Sequence, residues 1–183
     1  MHIKLLKIKD ESVILAFGDS LTNGFGVGYE CSYPQYFEKK TELEIINAGV
    51  DGEFSHAGLS RLPELLLYKP DLVILCHGAN DILCKLSIQM LKSNMLAMIK
   101  LIKDSGAKVL LIGVPDYYDY AHEVHKIYID TAEEMDILLE NKVLKKITLD
   151  DFLRNDAVHP NEIGYEKMAD TFIELLSSNK YFG

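Results

Sequence analysis

Cysteine is scarce in this chain: Cys31, Cys76 and Cys84 are three in 183 residues, an odd number that cannot all pair within it. A chain of this length builds a core without covalent staples, so the pattern fits a reducing compartment, with Cys76 as packing in an apolar run. Positive charge is also short. Lys and Arg number 19 against 28 Asp and Glu, for a net charge of −9, and the lysines are scattered. Nothing offsets repulsion from phosphate, which argues against a nucleic-acid or anionic-membrane partner. Long hydrophobic runs are missing as well. Val13–Phe17 and Leu72–Cys76 are strand-length, so no stable membrane insertion is expected. Met1–Glu11 alternates lysine with short apolar stretches and has no apolar h-region or small-residue cleavage site. It reads as no signal peptide, and the expectation is a cytoplasmic protein forming one domain over residues 1–183.

Several familiar motifs are absent too. No Gly-x-Ser-x-Gly elbow surrounds any serine, which argues against an α/β-hydrolase. There is no Walker A sequence, and Gly24-Phe25-Gly26-Val27-Gly28 is followed by Tyr29 where a dinucleotide fingerprint needs its last glycine. That stretch reads as a surface loop. In His122-Glu123-Val124-His125 the second histidine comes one residue too early for a zinc-protease motif, so these read as solvated helix-start residues. Neither a metal nor a cofactor is expected. Tyr117, Tyr118 and Tyr120 either flank a cleft or cover its end.

What is present is an alternation of short apolar runs and longer segments of helical period. Val13–Phe17, Leu43–Asn47, Asp71–His77 and Lys108–Gly113 read as strands, and Val143–Ile147 as a fifth, interrupted by lysines. Near-continuous apolar strands are buried on both faces, as in a parallel sheet. Tyr33–Thr41, Ser55–Tyr68, Ser87–Asp104, the acidic stretch Tyr120–Leu139 and Asn161–Leu176 read as helices. Asn161 serves as an N-cap, and Gly106 follows the third helix at its C-terminal end. The fold class is α/β: a three-layer α/β/α sandwich on a five-stranded parallel sheet.

In such sheets chemistry gathers beyond the carboxyl ends of the strands. Four segments fall there or in the final loop. Gly18-Asp19-Ser20-Leu21-Thr22 follows the first strand, where Ser20 is either an N-cap or a nucleophile exposed at the sheet's rim. Asn47-Ala48-Gly49-Val50-Asp51-Gly52-Glu53 follows the second, as a plain turn or as a backbone able to present N–H groups to a ligand. Gly78-Ala79-Asn80-Asp81 follows the third, and the Asn80 amide either builds a turn or donates to a developing oxyanion. In Asp156-Ala157-Val158-His159-Pro160 a carboxylate three residues before an imidazole can hold its Nδ1 and leave Nε2 to face Ser20. Together they supply a nucleophile, an oriented base and oxyanion donors, the set needed for acyl transfer.

These four blocks, in this order from Gly18 to Pro160, resemble the SGNH (GDSL-type) hydrolase superfamily. The run Ser60-Arg61-Leu62-Pro63-Glu64-Leu65-Leu66 makes the chain most similar to the thioesterase I, lysophospholipase and arylesterase branch. The resemblance implies a flavodoxin-like fold and metal-free hydrolysis of small-molecule esters or thioesters with short to medium acyl groups. Carried over by position, it implies Ser20 as nucleophile, Asp156 and His159 as the rest of a triad, and the Ser20 and Gly52 N–H groups with the Asn80 amide as oxyanion hole. Leu21, Ile82, Leu83, Pro115 and Val158 are the residues expected to line the substrate pocket. One departure is Glu53, where relatives often carry Asp-Thr after the glycine. Two rival readings are a carbohydrate O-acetyl esterase and a non-catalytic flavodoxin-like binding module. The oligomeric state is not legible.

Overall fold

The computed structural model of the chain describes residues 12–181. Met1–Glu11, read above as carrying no signal peptide, lies outside them. The apolar runs form the middle of a sheet. In β1 (Val13–Gly18) and β3 (Leu72–Cys76), Ile14 through Phe17 and Val73 through Cys76 have no exposed surface. Runs of this kind are stable only with helices over both faces. With β2 (Glu44–Gly49), β4 (Lys108–Ile112) and β5 (Leu138–Glu140) they form one five-stranded parallel sheet in the order β2-β1-β3-β4-β5.

Among the described residues eight helices accompany the sheet: α1 (Ser20–Asn23), α2 (Tyr33–Thr41), α3 (Ser55–Leu65), α4 (Ala79–Leu83), α5 (Ile88–Asp104), α6 (Lys126–Met135), α7 (Val143–Thr148) and α8 (Glu162–Ser178). Right-handed crossovers put α2 on one face of the sheet and α3, α5 and α6 on the other. α8 packs on α2 and α7 on α8, while α3 and α6 flank α5. The core-facing stripe of α5, Leu91, Met95, Met98, Ile99 and Ile102, keeps the spacing of one helical face. Its N-cap is Ser87, whose Oγ accepts from Met90 N, and Asn161 caps α8 by accepting from Gly164 N.

Two expectations are corrected. Val143–Ile147 is not a strand but most of α7, and the fifth strand is Leu138–Glu140, whose first two residues were expected at the end of a helix. The buried residues Val143, Leu144 and Ile147 stand at i, i+1 and i+4, a helical and not an alternating pattern. The Glu140 carboxylate also accepts from Lys142 N and Val143 N, satisfying the first N–H groups of that helix. The acidic helix is shorter than read: only Lys126–Met135 is helical, and it ends at Asp136 in the left-handed region (φ 49°). Before it, a bridge between Pro115 and Val124 folds the intervening residues into a hairpin-like excursion.

The strand order reverses direction between β1 and β3, so the connections leaving them diverge and open a crevice at their carboxyl ends. The strands approach closely there, and a Cβ on Gly18 would lie 2.0 Å from the Cys76 carbonyl oxygen. Gly18→Ala is therefore expected to lower unfolding free energy by about 3 kcal/mol. In Gly28→Ala the new methyl meets nothing within 4 Å, so stability should hardly change. Urea denaturation of both variants checks this, and equal midpoints would contradict the close approach.

Candidate active site

The crevice receives side chains from three strand ends and one loop. Ser20 is the first residue of α1, directly after β1, and is buried with 7% of its surface exposed. Asp19 precedes it as the N-cap, with Oδ1 accepting from Leu21 N at 3.1 Å. Burial raises the Asp19 carboxyl above its ordinary range, although His77 and the Leu21 N–H pull the other way.

His159 arrives from the segment before α8. That segment is a tight hairpin: Asn161 N bonds to Leu153 O, Arg154 bridges to Pro160, and Asn155 N bonds to His159 O. Its tip is Asp156-Ala157-Val158. One Asp156 oxygen accepts from Val158 N at 2.8 Å and His159 N at 2.7 Å, and the other takes the His159 Nδ1 hydrogen at 2.8 Å. Burial would raise this carboxyl, but these hydrogen bonds outweigh it and hold the group below its usual range. With Nδ1 protonated toward Asp156, Nε2 is left as acceptor, and Ser20 Oγ lies 3.0 Å from it. The structure thus brings Ser20, His159 and Asp156 into one hydrogen-bonded chain.

Gly52 lies in the turn after β2, at φ 72°, and Asn80 in the first turn of α4 after β3. The two are joined, because Asn80 Nδ2 donates to the Glu53 carbonyl at 3.1 Å. The neighbouring Asp81 takes both the N–H and the hydroxyl of Ser55, at 2.9 and 2.6 Å. Asn94 in turn donates to Ser55 Oγ. The Gly52–Ser55 turn is thereby tied to the start of α4 on two sides.

Beneath that turn lies a charged cluster that sequence reasoning missed. The Glu53 carboxylate receives Nε and Nη2 of Arg61 and Nε2 of His77, all within 2.7–3.0 Å. His77 is fully buried, and its Nδ1 accepts from Gly78 N at 2.9 Å. Its proton is therefore on Nε2, which donates to Glu53. A Cβ on Gly58 would stand 2.4 Å from that Nε2, so the residue facing the ring must be glycine. Burial alone would raise the Glu53 carboxyl, but the hydrogen bonds from His77 and Arg61 and the guanidinium charge bring it down to about 2. The available signal was Glu53 itself, where the turn departs from its relatives. Arg61 stood in the Ser60–Leu66 run and His77 at the end of the third strand, but neither position pointed to a charged partner.

The expected pocket divides. Leu21 and Ile82, with 0% and 4% exposed, belong to the core, and Pro115 is buried in its bridge to Val124. All three leave little or no accessible surface in this structure. Leu83 and Val158 are half-buried. Asp81–Leu83 form the end of α4, and the Tyr118 hydroxyl donates to Leu83 O at 2.7 Å. Tyr120 is fully exposed. His125 is the N-cap of α6, with Nδ1 accepting from Ile127 N.

Residues 16–167 match the model of the GDSL-like lipase/acylhydrolase family. An arylesterase of Vibrio mimicus is 36% identical over 158 residues, spanning 80% of this chain and 79% of its own length. The thioesterase 1/protease 1/lysophospholipase L1 of Escherichia coli (strain K12) is 28% identical over 171 residues, spanning 89% of this chain and 82% of its own. Among solved structures, the psychrotrophic esterase EstA from Pseudoalteromonas sp., inhibited by monoethylphosphonate, superposes with a TM-score of 0.80. It is 26% identical and is matched over 91% of this chain and 100% of its own.

The Glu53 cluster generates a pH prediction. A carboxyl held at about 2 in the folded state and near 4.5 when unfolded stabilises the fold above about pH 4.5. That contribution is lost as pH falls through about 2. Glu53→Gln should accordingly be less stable than the parent at pH 7, with the gap narrowing through this window. Unfolding curves at intervals of pH measure it, and a gap independent of pH would show that the carboxylate's charge is not what matters.

Proposed function

The chain belongs to the GDSL-like lipase/acylhydrolase family and is a carboxylic ester hydrolase, and we propose that Ser20, His159 and Asp156 are its catalytic triad. The observation that carries the assignment is the unbroken chain from Ser20 Oγ through both nitrogens of His159 to Asp156. In this reading His159 Nε2 takes the Ser20 proton as Oγ attacks the acyl carbon of an ester or thioester. The negative oxygen of the tetrahedral intermediate rests on the N–H groups of Ser20 and Gly52 and on the Asn80 amide. His159 then gives its proton to the departing alcohol or thiol, leaving an acyl group on Ser20. Water, deprotonated by the same nitrogen, attacks that ester, and the acid leaves as Oγ regains its proton.

Short to medium acyl groups are the proposed range, because Leu21, Ile82 and Pro115 are buried and offer a long chain little accessible apolar surface. The candidate substrates are aryl esters, lysolipids and acyl thioesters. Among the described residues no helix is long and apolar enough to cross a membrane. The three unpaired cysteines support a cytoplasmic setting.

A fluorophosphonate probe should label Ser20, and Ser20→Ala should lose the label and about 10⁴–10⁶ in kcat. A folded protein that is not labelled, or a Ser20→Ala variant that keeps its turnover, would overturn the nucleophile assignment. Asn80→Ala should lower kcat about 10²–10³-fold with KM little changed, as for removal of one oxyanion donor. A rise in KM alone would make Asn80 a substrate-binding residue.

A further inference from the structure

The Gly24–Gly28 stretch, set aside above as a surface loop, is not free of the site. Phe25 lies with its ring centroid 4.5 Å from that of His159, the planes inclined at 42°. It is nevertheless 46% exposed, so a large apolar ring beside the imidazole faces solvent. An exposed aromatic ring on a loop normally moves. This one is held by its backbone: the buried Tyr165 hydroxyl donates to the Phe25 carbonyl at 3.2 Å. Asn155 Nδ2 donates to the Gly26 carbonyl at 3.0 Å, and Asn155 N in turn bonds to His159 O. The loop after α1 and the hairpin that carries His159 are therefore fastened together, with the Phe25 ring fixed between imidazole and solvent.

We propose that Phe25 forms the leaving-group wall of the site and selects esters whose alcohol part is aromatic. The inference rests on His159 acting as the base and acid described above. In acylation the proton on Nε2 passes to the leaving oxygen as the carbon–oxygen bond breaks, so that oxygen must come within hydrogen-bond distance of Nε2. Two of the three proposed oxyanion donors, the Gly52 N–H and the Asn80 amide, come from the turns after β2 and β3, and a carbonyl oxygen turned toward them leaves the leaving oxygen on the imidazole side. The substituent on the leaving oxygen then meets whatever flanks the ring of His159, and that surface is Phe25. A flat aromatic group can stack or pack edge-on there, whereas a methyl or ethyl group covers little of it. The acyl chain, on the other side of the carbonyl carbon, does not touch Phe25.

The test separates the two halves of the substrate. With phenyl and ethyl butyrate, Phe25→Ala should lower kcat/KM for the phenyl ester about threefold to tenfold more than for the ethyl ester. Phe25→Tyr should retain the parent's ratio. Across phenyl acetate, butyrate and hexanoate, the relative rates should match those of the parent. A second measurement does not depend on the fraction of folded enzyme. When benzyl alcohol competes with water for the acyl-enzyme, its oxygen attacks the acyl carbon, its proton goes to Nε2, and Ser20 Oγ is released as the hydroxyl. The ratio of benzyl ester to free acid formed in one reaction should fall in Phe25→Ala by a similar factor. The corresponding ratio with ethanol should fall less. Equal losses for phenyl and ethyl esters with unchanged partitioning would overturn the proposal and leave Phe25 as packing for the imidazole. Failure of the triad reading is recognised separately, by absence of fluorophosphonate labelling at Ser20 in the parent.

Discussion

The arrangement of this site depends on the guanidinium of Arg61. It projects from α3 beneath the strand ends, against the face of Phe17, and donates to the carbonyl of Gly18 at the end of β1. It also donates to the carbonyl of Ala48 near the end of β2, and to the Glu53 carboxylate beyond it. One planar cation with several fixed donors thus spans the segment leading to Ser20 and the turn carrying Gly52. The guanidinium keeps 25% of its side-chain surface exposed, and its inward edge is paired with a carboxylate and hydrogen-bonded through Nε and Nη2. Through Glu53 the constraint reaches His77 in the next strand's exit, and through the Glu53 carbonyl it reaches Asn80. The nucleophile and the proposed oxyanion donors are held relative to one another by a single polar cluster, not by three independent loops.

Much of this was legible in the sequence, for identifiable reasons. The strands β1, β3 and β4 were plain because each is a short apolar run, α5 because its apolar residues recur at helical spacing and Gly106 follows it, and α8 because Asn161 offers an N-cap. Ser20, Gly52, Asn80, Asp156 and His159 were legible because each belongs to a block with its own composition at a strand end or in the last loop. β5 was not, since it is three residues long and its leucines equally suit the end of a helix. α7 was misread as an apolar strand interrupted by Lys145 and Lys146, when the spacing of Val143, Leu144 and Ile147 was already helical. Of the cluster of Glu53, Arg61 and His77, only Glu53 stood out, as a departure in its turn, and the pairing itself could not be read. Its members come from a turn, a helix and a strand end, and only tertiary packing makes them neighbours.

Not every group around Ser20 favours the folded state. Asp19 is entirely buried, and its carboxyl is raised because burial disfavours the charge. The same residue caps α1, so its removal would release the Leu21 N–H while relieving the desolvation. A helix of four residues beginning at the nucleophile has little stability of its own, and its geometry is imposed by its surroundings. The site therefore draws on the stability of the sheet behind it, where β1 and β3 have no exposed residues to weaken the packing.

The bond between Ser20 and His159 joins positions 139 residues apart, and the hairpin bearing His159 leads directly into α8, which packs on α2. During synthesis the serine emerges early and the imidazole last. A nascent chain that has already made all five of its strands still lacks the imidazole proposed to activate its hydroxyl. On the proposed triad, such a chain cannot turn over an ester until the segment before α8 has been made and has folded against Ser20.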